Sequence, residues 1–152
     1  MIVKINIIDS SIPWEQYSCK RNTLRELSES VNNLISLNYY GQSIETFLIG
    51  LIAVEPIYDK LASPRRPRYT EHKESLAFGS IPIVINKTLE IEIKLDYEKV
   101  LTANEEAFCR IVATEVLNTL HTLKLPKKVT DFDKDRFVAD VESVFRAEHL
   151  LK

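Results

Sequence analysis

Leu89-Glu-Ile-Glu-Ile-Lys-Leu-Asp96 alternates without a break: Leu89, Ile91, Ile93 and Leu95 fall on one side, Glu90, Glu92, Lys94 and Asp96 on the other. A period of two is that of a β-strand, and so clean a division marks a sheet with one face buried and the other in water. Half-solvated sheets are commonly antiparallel, with helices gathered on the covered face. This stretch sets the expectation for the chain around it.

Upstream, residues 76–78 and 81–85 read as strand, and Asn86-Lys87 as a tight turn leading into the 89–96 strand, although the glycine usual in such hairpins is missing. Residues 44–54 form a further strand. Its apolar run over 47–54 suits burial on both faces, Glu55-Pro56 ends it, and eight residues fall well short of the roughly 20 that a membrane helix needs. Residues 2–8 open the sheet, with Val3, Ile5 and Ile7 on one face and Lys4 and Asn6 on the other. Lys4, Asn6 and Asp9 also break any signal-peptide core, which points to a cytoplasmic protein.

Helices are marked by their caps and stripes. Thr23-Leu-Arg-Glu26 has capping-box spacing, and Leu24, Leu27, Val31, Leu34 and Ile35 follow on one face until the pattern fades near Asn38 and Gly41. Thr102-Ala-Asn-Glu105 is a second such box, followed by a helix to about residue 123 with Phe108, Val112, Val116, Leu117 and Leu120 on its apolar arc, stopped by Pro126. Asp133 caps a last helix, Phe132 and Phe137 have hydrophobic-staple spacing, and Phe137, Val138, Val141, Val144 and Phe145 form its buried stripe. The order is β-α-β-β-β-α-α. It predicts one α+β domain over residues 1–152: a mainly antiparallel sheet of about four strands with three helices on one face.

Composition bounds the chemistry. A chain of 152 residues, 45% hydrophobic and 28% charged with net charge −2, is globular and carries no global pull toward nucleic acid or anionic membrane. Cys19 and Cys109 lie far apart and read as reduced packing residues, and His72, His121 and His149 have no close ligand partners in sequence, so neither a metal nor another cofactor is implied. Gly41, Gly50 and Gly79 are the only glycines, which leaves no material for a phosphate loop or a nucleophile elbow. No catalytic constellation emerges, and a protein that works by binding another protein is the expectation.

Two charged features qualify as contact surfaces. Glu90, Glu92, Asp96 and Glu98 form an acidic row along one strand and its exit; alternation explains them as a solvated face rather than as catalytic acids, and such a face suits a basic partner. Ser63-Pro-Arg-Arg-Pro-Arg-Tyr69 sets Arg65, Arg66, Arg68 and Tyr69 in an exposed, extended connection rather than a packed element. It suits an acidic partner, or phosphate backbone in the alternative reading of a small nucleic-acid-binding or regulatory domain. One short basic segment in an acidic chain is a weak footprint for nucleic acid. Trp14, in the loop after the first strand, reads as a core lid before it reads as a binding anchor. An antiparallel sheet with an open edge would also permit a homodimer.

The stretches Leu89-Glu-Ile-Glu-Ile-Lys-Leu-Asp-Tyr-Glu98, Leu101-Thr-Ala-Asn-Glu-Glu106 and Leu125-Pro-Lys-Lys-Val-Thr-Asp-Phe-Asp133 with Arg136-Phe137 resemble small bacterial immunity proteins of polymorphic-toxin systems. The resemblance covers about the last 65 residues. It implies a stoichiometric inhibitor of a cognate toxin and not an enzyme; no individual functional residue transfers with it. Against a basic nuclease the acidic row would be the natural contact, and against a toxin with an acidic cleft the arginines would be.

Overall fold

The computed structural model describes residues 1–10, 14–54, 66–71, 87–125 and 129–151. Among these residues eight elements run in the order β1 (Ile2–Ser10), α1 (Trp14–Ile35), β2 (Thr46–Val54), β3 (Arg66–Glu71), β4 (Lys87–Asp96), α2 (Tyr97–Thr102), α3 (Glu105–Thr122) and α4 (Lys134–Ala147). The α+β class expected from sequence is what forms. The described strands make one four-stranded sheet in the order β1-β2-β4-β3.

Strand direction corrects the expectation of a mainly antiparallel sheet. β1 pairs with β2 in parallel, β2 pairs with β4 in parallel, and only β3 runs antiparallel, against β4. Parallel neighbours need a crossover long enough to bring the chain back to its starting end, and α1, with 22 residues and so about 33 Å long, provides it between β1 and β2. Alternation in a strand reports which face is buried and is silent about direction. The near-continuous apolar run of β2 fits its place between two parallel neighbours.

The connection around the arginines is corrected as well. Residues 66–71 are extended as expected, but they are a paired strand, antiparallel to β4 with Pro67 opposite Ile91. The strands expected at 76–78 and 81–85 lie outside the described residues. Lys87, expected in a turn, instead opens β4 opposite Glu71.

The core lies on one face of the sheet. Val3 and Ile5 of β1, Phe47, Ile49 and Leu51 of β2, and Leu89, Ile91, Ile93 and Leu95 of β4 are buried at alternate positions. They join one apolar cluster with Leu24, Leu27, Val31 and Ile35 of α1, the predicted arc of α3, and all five predicted stripe residues of α4. On the opposite face Lys4 is exposed, and Leu48 and Glu90 are half-buried.

Helix starts follow capping chemistry at other residues than two of the three expected. α1 begins at Trp14, which puts Trp14 in a helix rather than a loop and leaves Thr23-Leu-Arg-Glu26 inside it. α3 is capped by Asn104, whose side chain accepts from the Ala107 N–H (2.8 Å), while Thr102 closes the short helix α2, a fourth helix where three were expected, and its hydroxyl donates to the Glu98 carbonyl (2.9 Å). Asp133 caps α4 as predicted, accepting from the Arg136 N–H at 3.1 Å, and the Phe132 and Phe137 rings meet at 5.5 Å as a staple requires.

α1 also closes the β1 edge. Ile2 donates to Glu45 on the β2 side (2.9 Å), and because a parallel strand sends alternate residues to opposite neighbours, Val3 and Ile5 turn their backbone groups outward. The Asn32 side chain accepts from the Val3 N–H (2.7 Å) and donates to the Val3 carbonyl (2.9 Å), and the Ser28 hydroxyl accepts from the Ile5 N–H (3.1 Å). Side chains of the crossover helix thus stand in for a fifth strand.

Candidate functional site

The β3–β4 ladder gathers most of the sequence-derived contact residues. Its register sets Arg66 opposite Glu92, Arg68 opposite Glu90, and Glu71 opposite Lys87, while Tyr69 pairs with Leu89. The acidic row and the basic segment, read as two separate surfaces, are therefore neighbours on one sheet margin.

The remaining candidates are placed elsewhere. Asp96 is the N-cap of α2, accepting from the Lys99 N–H at 3.2 Å, and exposed Glu98 lies in that helix's first turn, where its charge suits the helix dipole. Trp14 is at the start of α1 and away in sequence and element from the ladder. Arg65 lies outside the described residues.

A second cluster, missed from sequence, surrounds residues 36–45 between α1 and β2. The Tyr40 hydroxyl donates to Asp140 of α4 (2.5 Å), Asn38 donates to the same carboxylate oxygen (3.2 Å), and Arg136 donates to Asn38 (3.2 Å) while its guanidinium lies 5.9 Å from the Tyr40 ring centroid. Burial, and after it the Asp140 hydrogen bond, push the Tyr40 phenol up to about 12. Gly41 takes φ +124°, and a Cβ there would lie 2.3 Å from the Asp131 carbonyl oxygen, so only glycine permits this approach. Gln42 and Ser43 donate their N–H groups to Asp131, the Ser43 hydroxyl accepts from the Asp131 N–H, and Asp133 donates to the Tyr40 carbonyl. The only sequence signal was the run Leu37-Asn-Tyr-Tyr40 just beyond the fading helix pattern: large apolar and aromatic residues where a plain turn would be polar.

Among the described residues no group of three or more His, Cys, Asp or Glu side chains could hold a metal ion. Cys109 is a buried free thiol, pushed up to about 11 mainly by burial, then by Glu148 and Glu26, away from the thiolate form that a nucleophile uses. No helix among the described residues is long and apolar enough to cross a membrane. A groove of about 670 Å³ runs between β1 and α1, floored by the bonds of Asn32 and Ser28 and bordered by Lys4, Arg21 and Arg25.

With this charged surface in view, comparison with protein families is decisive: the model of immunity protein 44 matches residues 1–147. The chain belongs to the immunity protein 44 family. The match takes in the N-terminal third as well as the C-terminal stretches that carried the resemblance, so β1, α1 and residues 36–45 are part of the immunity protein 44 unit. No curated protein and no solved structure matches the chain significantly. Membership of an immunity-protein family supports a role in toxin neutralisation in general terms.

Proposed function

We propose that this chain is a stoichiometric inhibitor that binds a cognate bacterial toxin in the cytoplasm and blocks it by covering its working surface, without cofactor or turnover. The observation that carries the reading is the family match across residues 1–147. The whole chain serves as one domain in this role, a scaffold whose covered sheet face supplies stability and whose exposed surfaces supply recognition.

Within that reading the β3–β4 margin is a charged rim. Arg66 and Arg68 of β3 stand opposite Glu92 and Glu90 of β4 across the ladder, and a basic row set beside an acidic one selects one complementary partner by register, where a one-sided field would attract any polyion. The rim shapes association rate and specificity more than affinity.

The test is co-expression with the product of the toxin gene beside its own. Cells making both proteins are expected to survive a toxin dose that kills cells lacking the inhibitor, and the two chains to co-elute as a one-to-one complex. If the neighbouring product is harmless, or is toxic but neither rescued nor bound, the reading is abandoned.

A further inference from the structure

Exposed apolar side chains carry meaning when they gather rather than scatter. Among the described residues the large hydrophobics most open to water are Leu37 (80% exposed), Tyr39 (64%), Ile2 (50%) and Leu101 (38%). The first three share one end of the molecule. α1 runs antiparallel to β1, since Asn32 reaches Val3 while the earlier Ser28 reaches Ile5. The end of α1 that leads to Leu37 and Tyr39 therefore lies beside the starts of β1 and its parallel neighbours. Leu101, in α2 just after β4, lies at the opposite end.

The backbone that presents Leu37 and Tyr39 is already ordered. It is bonded to the last turn of α1 through Leu34 and Ile35, clamped by Tyr40 and Asn38 on Asp140, and fastened at residues 41–43 to Asp131. An anchor held in its binding geometry loses little entropy on association. Tyrosine and arginine dominate interface energetics, and Arg136 stands over Tyr40 next to the exposed pair. A cleft of about 410 Å³ beside Tyr39 is bordered by Glu45 and Lys87, so the apolar tip reaches the starts of β2 and β4. Among the residues with charged side chains that line this cleft or hydrogen-bond to residues 38–45, the acids Glu45, Asp131, Asp133 and Asp140 outnumber the cations Lys87 and Arg136, which favours a basic surround on the partner that docks there.

We propose that Leu37 and Tyr39 form the anchor of the toxin interface, seated in an apolar pocket of the toxin that is bordered by lysine or arginine. The proposal rests on the neutralisation reading above and adds the surface and the chemistry of the partner.

Calorimetric titration of the full chain with the product of the adjacent toxin gene tests it, using wild type, Leu37→Glu, Leu37→Ala, Tyr39→Ala and Leu101→Glu. The tip variants are expected to weaken binding tenfold or more, Leu37→Glu the most, with wild-type melting temperatures; Leu101→Glu binds as wild type. Wild-type affinity in Leu37→Ala and Tyr39→Ala overturns the anchor and leaves neutralisation standing. No binding by the wild type overturns both. Sedimentation of the chain alone supplies the last arm: a dimer that Leu37→Glu dissociates would assign the tip to a second copy and overturn the toxin as its occupant.

Discussion

Tyr40 shows how one residue joins packing to polar chemistry. Its ring meets Phe137 edge-on at 5.5 Å while its hydroxyl is held by Asp140. Removing the hydroxyl in Tyr40→Phe should cost about 1.5–3 kcal/mol at neutral pH, the range for a hydrogen bond to a charged group, as read from urea denaturation. The pH dependence has a definite sign. Below pH 10 the phenol is protonated in folded and unfolded chains and its contribution is full; between 10 and about 12 the unfolded chain releases the proton that the folded chain keeps, so stability falls as pH rises. Tyr40→Phe should therefore lose stability less steeply across that window; an unchanged slope would detach the shift from this residue. Gly41 is the neighbouring constraint. Gly41→Ala should cost about 1–3 kcal/mol from backbone strain alone, and more from the clash with Asp131, read as a lowered melting temperature. Neither role was legible in the sequence, because Asp131 and Asp140 lie some 90 to 100 positions away.

At the scale of elements, stripes were more legible than boundaries. The stripes of α1, α3 and α4 were readable because burial on a helix recurs with a fixed period, and nearly every residue named on them is buried. Starts were read less well. Thr23-Leu-Arg-Glu26 has the spacing of a capping box, yet the chain is already helical from Trp14 and the motif has no helix end to cap. Asn104, two residues beyond Thr102, caps α3 because Thr102 is committed to the last turn of α2. Asn32 shows an element acting on its neighbour. In sequence it is a polar residue off the apolar stripe, and in the fold it satisfies both outward backbone groups of Val3. Asn32→Ala should cost about 1–2 kcal/mol and bare the β1 edge, so its light scattering should rise with concentration more steeply than that of the wild type. A variant as stable as wild type, with scattering that rises no more steeply, would show that water closes this edge equally well.

For the whole molecule, the aromatic cluster of Tyr40, Phe47, Phe132 and Phe137 ties β2 to α4 across about 90 positions of chain, with Phe47 and Phe137 stacked at 4.8 Å. Phe137→Ala should lower unfolding free energy by about 3–5 kcal/mol, the usual cost of emptying an aromatic core site, with α4 and the residues 36–45 it supports losing hydrogen-exchange protection together. The sequence by itself determined the α+β class, the alternating strands, the helix stripes and the lack of phosphate-binding or nucleophile motifs, because each is written in short-range periodicity or in residue type. Only the tertiary structure decided that two of the three pairings among the described strands are parallel, that the arginine segment is a strand opposite the acidic row, and that Leu37 and Tyr39 stand on a clamped tip. Those facts depend on which end of the sheet the chain returns to after α1 and on contacts between residues far apart in sequence. A local pattern holds no record of either.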